Sequence, residues 1–200
     1  MKRLYIEDWL KIEEKLKAAL NPVRYQHTLG VTYTAAALAM NYGLDVGRAR
    51  LAGLLHDCAK CFSDEEKRRM CREYNVPVTQ FELDHPALLH SKLGAYVARD
   101  EYGVEDEEIL SAISWHTTGR PQMTRLEQII YLADYIEPNR DDELPDLTEI
   151  RKLAFTDLDR CCEAVMAACI EFIQRSGKSM DSMTVEAYNY YRKLNHPEEA

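Results

Sequence analysis

Leu54-Leu55-His56-Asp57-Cys58-Ala59-Lys60 is the stretch on which the reading of this chain turns. A histidine and an aspartate stand side by side at the end of an apolar helical run. Burying two polar side chains there is costly unless each finds a partner. A metal ion is one partner that both accept. Whether it is the right one depends on further ligands elsewhere in the chain.

Outward from that pair the pattern is helical on both sides. Asp45 caps a helix carrying Ala49, Ala52 and Leu55, and the small Ala52 and Gly53 admit a close neighbour. Upstream, Trp9, Ile12, Leu16 and Ala19 or Leu20 recur at spacings of three and four, one apolar face over 8–20. Asn21-Pro22 ends that helix and opens the next, with Asn as cap and Pro at the first helical position. This second helix runs to about Asn41 with Val23, His27, Val31, Thr34, Ala35 and Leu38 near one side.

Downstream, Ser63 and Glu66 form a capping box, and a polar loop surrounds Asn75-Val76-Pro77. A helix starting near Pro86 carries His90 and Gly94. Another covers about 105–116. A third, Thr124 to Ile136, buries Leu126, Ile129, Ile130 and Ala133 and includes Asp134. Helices at about 147–155, 157–175 and 184–194 complete the chain, and Asp141–Asp146 reads as a solvated acidic loop. The expectation is an all-α fold in one domain spanning 1–200, its core at about 20–140 and its C-terminal helices, about 147–195, packed against that core.

Composition narrows the function. Hydrophobic residues at 46% suffice for a core, and the eight glycines and seven prolines are few. A net charge of −9 argues against nucleic-acid binding, which needs excess Lys and Arg. A small anionic ligand remains compatible if a metal or a few basic side chains supply local positive charge. No apolar run approaches ~18 residues, so no membrane span is expected. The N-terminus has no signal-peptide core, which points to the cytoplasm, where the six cysteines stay reduced. Cys58-x-x-Cys61 invites a zinc or redox reading, but no second such pair exists, so plain thiols are expected.

Six polar positions in or at the ends of apolar helices need a reason: His27, His56, Asp57, His90, His116 and Asp134. A lone histidine there is usually a satisfied core residue. Several from separate helices, with an adjacent His-Asp pair among them, are not explained that way. Helical neighbours point about 100° apart. They reach one ion only from its edge and leave positions open, which marks a catalytic site and not a closed structural one.

The order and spacing of His27, His56-Asp57 and Asp134 resemble the HD-domain metal-dependent phosphohydrolases. Arg24-Tyr25-Gln26-His27-Thr28, the 54–60 stretch, His90 with Gly94-Ala95, His116-Thr117-Thr118-Gly119 and Tyr131-Leu132-Ala133-Asp134-Tyr135-Ile136-Glu137-Pro138 sharpen the resemblance. They are similar to the branch of bacterial symmetrical diadenosine tetraphosphate hydrolases, over about 20–195. The resemblance implies an HD-domain helical bundle with His27, His56, Asp57 and Asp134 as metal ligands. It implies catalytic roles for His56, Asp57, His90, His116 and Lys60. Substrate contacts would come from Arg24, Asp57, Cys58, Ala59, Lys60, His90, His116, Thr117, Tyr131, Arg175 and Lys178.

Arg24 lies three before His27 and Lys60 three after Asp57, a helical spacing that sets each cation on its ligand's face. His90 and His116 are expected to touch phosphate or protonate the leaving oxygen, with a second metal as the alternative. His85 is read as sitting at a helix start, and His196 as solvated. Arg120 adds a cation after the 117–119 turn. Thr184-Val185-Glu186-Ala187-Tyr188-Asn189 matches a C-terminal motif of the branch, whereas Lys178–Met183 lacks the His-Pro expected just before it.

The reaction so implied is phosphoanhydride hydrolysis, diadenosine tetraphosphate giving two ADP. The cofactor is a divalent or trivalent transition metal, with iron the first expectation and manganese, cobalt or zinc as alternatives. The partners are a dinucleoside polyphosphate substrate and a nucleoside diphosphate product, with no nucleic acid and no membrane. A homodimer is compatible with the helical surfaces. Two competing readings are an HD phosphohydrolase acting on another nucleotide and a non-catalytic sensor that binds nucleotide and metal.

Overall fold

The structure, a computed structural model, describes residues 6–140 and 146–199. Among the described residues there are eleven α-helices, a short terminal 3-10 turn and no strand. The helices are α1 (Ile6–Ala19), α2 (Pro22–Asn41), α3 (Val46–Leu55), α4 (Asp64–Glu73), α5 (Gln80–Asp84) and α6 (Leu89–Tyr102). They continue with α7 (Glu107–Trp115), α8 (Arg125–Ile136), α9 (Leu147–Ala154), α10 (Leu158–Arg175) and α11 (Ser182–Asn195).

The starts are written in the sequence. The side chains of Asn21, Asp45, Asp106, Asp157 and Asp181 each accept a backbone N–H of the first turn they precede. Ser63, Thr79 and Thr124 form full capping boxes with Glu66, Glu82 and Glu127. Each such cap satisfies a donor that the helix leaves unpaired, worth about 1 kcal/mol.

Helix α8 is the axis of the bundle. It packs against α2, α3, α7, α9 and α10, and Ile129, Ile130, Leu132 and Ala133 are wholly buried. A helix buried over most of its length belongs at the centre of a domain. Gln128 on α8 donates to Tyr191 Oη on α11 at 3.1 Å and to Asp159 Oδ1 on α10 at 2.7 Å. The C-terminal helices are thereby bonded to the axis as well as packed on it.

Several local expectations are corrected. The Thr79 capping box opens α5, a helix that the reading of a plain loop around residue 77 overlooks. His85 therefore ends α5 instead of starting the next helix, and α6 begins only at Leu89. Helix α3 stops at Leu55, so His56 to Phe62 form consecutive turns, and Lys60 shares no helix face with Asp57. Val23 is 82% exposed and lies off the buried side of α2. The acidic stretch falls outside the described residues except for Asp146, which precedes α9 in the left-handed region at φ 57°.

The close approach at Gly53 is confirmed. A Cβ there would stand 3.0 Å from Thr32 Cα and 3.3 Å from Thr32 N, backbone atoms of α2 that cannot swing aside. Gly53→Ala should gain about 1 kcal/mol of helix propensity and lose about 1–3 kcal/mol to overpacking. The expected net is a lower thermal unfolding midpoint. A midpoint raised by the full propensity gain would show that α2 and α3 separate freely.

Candidate metal centre

Five helices deliver the polar residues to one place. His27 lies within α2. His56 caps the end of α3 and Asp57 follows in the turn. His90 is the second residue of α6, His116 caps the end of α7, and Asp134 lies in the last turn of α8. Local backbone orients three of the rings in the same way. Nδ1 of His56, His90 and His116 stands 2.7, 2.6 and 2.7 Å from the carbonyl oxygens of Gly53, Ala87 and Ile113, each three residues earlier. A carbonyl only accepts, so Nδ1 carries the proton and Nε2 keeps a bare lone pair. His27 has the same arrangement with a carboxylate, Nδ1 to Glu137 Oε1 at 3.1 Å.

The four Nε2 atoms then converge on two carboxylates. Asp57 Oδ2 lies 3.5 Å from His56 Nε2 and 4.0 Å from His27 Nε2. Its Oδ1 lies 3.2 Å from His90 Nε2 and 3.6 Å from His116 Nε2. Asp134 Oδ1 stands 3.0 Å from His27 Nε2 and 4.0 Å from His56 Nε2. Nε2 of His27 and of His56 are buried without a hydrogen-bond partner. Such atoms cost about 1–3 kcal/mol each unless something accepts their lone pairs. Two sets, His27/His56/Asp134 and His56/Asp57/His116, each bring ligand atoms within 4.8 Å of one another. Lone pairs and carboxylate oxygens at that spacing fit a cation.

The electrostatics favour the same protonation states. Burial pushes His56 and His90 down to about 4, which keeps both rings neutral. Burial also works to raise Asp57, but the neighbouring His56 and the close approach of His116 and His90 outweigh it and hold the carboxyl well below its usual range. Asp134 is likewise lowered, burial being outweighed by the adjacent His27 and by the nearby rings of His56 and His116. His27 moves the other way: burial lowers it, but Asp134 and Glu137 raise it further.

Both carboxylates also meet arginines. Arg24 Nη1 donates to Asp57 Oδ2 at 2.9 Å, and Arg140 Nη2 donates to Asp134 Oδ1 at 2.7 Å. Arg24, placed by spacing beside His27, thus reaches across to the turn after α3. Lys60 stays close to Asp57 because its backbone N–H donates to the Asp57 carbonyl at 2.9 Å, and burial lowers its ammonium pKa.

A cavity of about 960 Å³ opens beside the cluster. Thr117 joins the two, since it lines the cavity and its Oγ1 lies 3.2 and 3.3 Å from Nε2 of His90 and His116. Tyr131, 5% exposed, and Lys178 also line it, as do His85 and Thr184. Cys58 is buried, its thiol donating to the Gly94 carbonyl at 3.4 Å, and Ala59 is buried beside it; neither is among the lining residues. Arg175 is exposed, pairs with Glu171 one turn back, and is also outside the lining. Arg120 pairs with Glu127 at 2.9 Å, and His196 pairs with Glu163 at 3.2 Å.

Glu137, Arg140 and Gly30 were missed by the sequence reading. Glu137 is 1% exposed, and its Oε2 accepts from the backbone N–H and side-chain amide of Asn139 at 2.8 and 2.9 Å. It fits there because Gly30, three residues after His27, has no side chain: a Cβ would collide with the Glu137 carboxylate. The available signal was an acidic residue just before Pro138, three past Asp134, which reads as a helix end.

Comparison with known proteins agrees with this arrangement. A family model described as HD domain matches residues 24–139. A curated relative from Bacillus subtilis (strain 168), named "Bis(5'-nucleosyl)-tetraphosphatase, symmetrical", is 42% identical over 88% of this chain and 92% of its own. One from Halalkalibacterium halodurans with the same name is 41% identical over 90% of this chain and 94% of its own. A crystal structure of a "predicted HD superfamily hydrolase involved in NAD metabolism" from Clostridium acetobutylicum superposes with a TM-score of 0.89 at 39% identity, covering 93% of this chain and 97% of that one.

Removing the support behind a ligand typically costs about 10- to 100-fold in metal affinity. Glu137→Ala takes that support from His27 directly, and Gly30→Ala displaces it. Both should weaken metal binding by that factor in a chelator competition titration, with helix content unchanged. Wild-type affinity in both variants would show that the Glu137 contact leaves His27 unaffected.

Proposed function

The chain belongs to the HD-domain family, and from that footing we propose that it is a metal-dependent phosphohydrolase that splits diadenosine tetraphosphate symmetrically into two ADP. The observation that carries the reading is the convergence of four imidazole Nε2 atoms on the carboxylates of Asp57 and Asp134 beside a cavity. The substrate class is supported by the names of relatives that align with about nine-tenths of this chain.

His27, His56, Asp57 and Asp134 would hold the ion, and two imidazoles with two carboxylates suit iron first, then manganese, cobalt or zinc. When bound, such an ion supplies water acidity near neutral pH, from ~15.7 towards ~7, and positive charge at a phosphoryl oxygen.

The chain's own residues do the rest. Glu137 fixes the tautomer and angle of His27 through Nδ1. Arg24 and Lys60 offset charge on the non-bridging phosphate oxygens, as fixed cations do wherever negative charge develops. Thr117 is placed to donate to a phosphate from the cavity side. His90 and His116 contact the phosphate or protonate the leaving oxygen. A second reading for these two has a specific observation behind it. Their Nε2 atoms are 3.1 Å apart and face Asp57 Oδ1, while His27 and His56 face Oδ2. A carboxylate so flanked supports two cation positions that share Asp57. A cytoplasmic location belongs to the same proposal, supported by six cysteines present as free thiols.

Four measurements check the reading. After metal reconstitution, diadenosine tetraphosphate should yield ADP as sole nucleotide product; AMP plus ATP rejects symmetrical cleavage. Tight nucleotide binding with no turnover under any metal would favour a sensor. His56→Ala and Asp57→Ala should each lose metal and lower activity by at least ~10³-fold, the scale of removing a transition-state charge partner. An active, metal-free Asp57→Ala enzyme would sink the mechanism. Metal content per chain, one or two, decides between the two roles of His90 and His116.

A further inference from the structure

Glu137 must leave the backbone in one direction to reach His27, and its own helix does not fix that direction. It stands one residue past α8, in extended backbone at φ −55° and ψ 153°. A residue before a proline avoids helical geometry, and Pro138 follows. Pro138 also has no N–H, so it cannot return a bond to the end of α8 as an ordinary residue would. The last carbonyls of the helix need other donors.

Two arginines supply them. Arg140 Nε donates to the Asp134 carbonyl at 2.8 Å. Arg151, half-buried on α9, donates from Nε to the Ile136 carbonyl at 2.9 Å and from Nη2 to the Glu137 carbonyl at 3.0 Å. The two carbonyls that Arg151 holds belong to the peptide units on either side of the Glu137 Cα. Each unit is planar, so together they set φ and ψ of the residue between them. Holding both fixes the direction in which the Glu137 side chain departs. Helix α9 is itself anchored: Leu147, Ile150 and Ala154 are buried. At its far end the Tyr42 hydroxyl donates to the Ala154 carbonyl at 2.9 Å and Asn41 Nδ2 to the Phe155 carbonyl at 2.8 Å. Helix α9 thus braces the end of α2, the helix of His27, against the end of α8.

We propose that Arg151 is a positioning residue for the metal centre: by gripping both peptide units that flank Glu137, it aims the Glu137 carboxylate at His27 Nδ1 and so tightens metal binding. The proposal rests on the metal-centre reading above and not on the identity of the substrate. Arg151 donates to no ligand side chain, so its effect passes through Glu137 and vanishes when that carboxylate is removed.

The test is a double-mutant cycle on full-length protein, read as affinity for manganese(II) and for zinc(II) by chelator competition, with helix content followed by circular dichroism. Arg151→Ala should weaken metal binding about tenfold, the lower end of what losing a ligand's outer support costs. Arg151→Lys, with one ammonium for two carbonyls, should fall between that variant and wild type. Lys152→Ala, the exposed neighbour on α9, should stay within about twofold. In a Glu137→Ala background, Arg151→Ala should cost no more than about a further twofold, because coupled residues do not add. Wild-type affinity in Arg151→Ala overturns the proposal, and if that variant loses helix content, wild-type affinity in Arg151→Lys does so. The same tenfold loss repeated in the Glu137→Ala background also overturns it, since the effect would then be general loosening. Wild-type protein that binds neither ion overturns the metal-centre reading together with this one, whereas wild-type binding with an unaffected Arg151 variant overturns this one alone.

Discussion

The hydrogen bond from a histidine Nδ1–H to the carbonyl three residues earlier is the constraint on which this centre depends. It occurs at His56, His90 and His116, at 2.7, 2.6 and 2.7 Å, each at a helix terminus. There the geometry offers a carbonyl that no later helical N–H has claimed. The bond fixes ring angle and tautomer together, and leaves Nε2 as an acceptor aimed away from the helix. Since each bond is local, the rings are pre-set by their own helices, and the tertiary fold has only to bring the helix ends together. His27 stands within α2, where carbonyls are occupied, and takes its support from Glu137 instead.

Bringing those ends together is the work of α8. Buried over most of its length and in contact with α2, α3, α7, α9 and α10, it carries Asp134 in its last turn and Tyr131 one turn earlier. One element therefore relates the metal centre to the cavity. The close seat of α3 on α2 at Gly53 and the room at Gly30 for the Glu137 carboxylate have the same consequence: His27 and His56 come from helices whose separation cannot relax. A site of buried polar atoms tolerates little slack, because each atom left without a partner carries its desolvation cost.

The electrostatics follow from that packing. Burial alone would protonate the carboxylates and strip the imidazoles of protons. The imidazoles are indeed driven neutral at His56 and His90, whereas Asp57 and Asp134 are held low by the surrounding imidazoles, and both also pair with arginines. The result is a nest of lone pairs and two carboxylates, each carboxylate paired with an arginine.

Much of this was legible in the chain. The caps at Asn21, Asp45 and Ser63 and the apolar spacing place the helices, because both are local: a side chain reaches its own first turn, and a face repeats within one segment. The ligand order His27, His56-Asp57, Asp134 and the pair His90 and His116 were also visible as polar residues stranded at apolar helix ends. What local pattern could not settle was which residues meet across helices. Glu137 behind His27 and Arg24 on Asp57 in place of a neighbour on its own helix are contacts between segments 110 and 33 residues apart. They depend on how closely α2, α3 and α8 approach, and that distance is set by glycines, whose effect is an absence of atoms. Residue types and caps therefore determined the helices and the donor set by themselves. Only the tertiary structure decided the partners, because pairing across helices is fixed by packing volume, which no single segment contains.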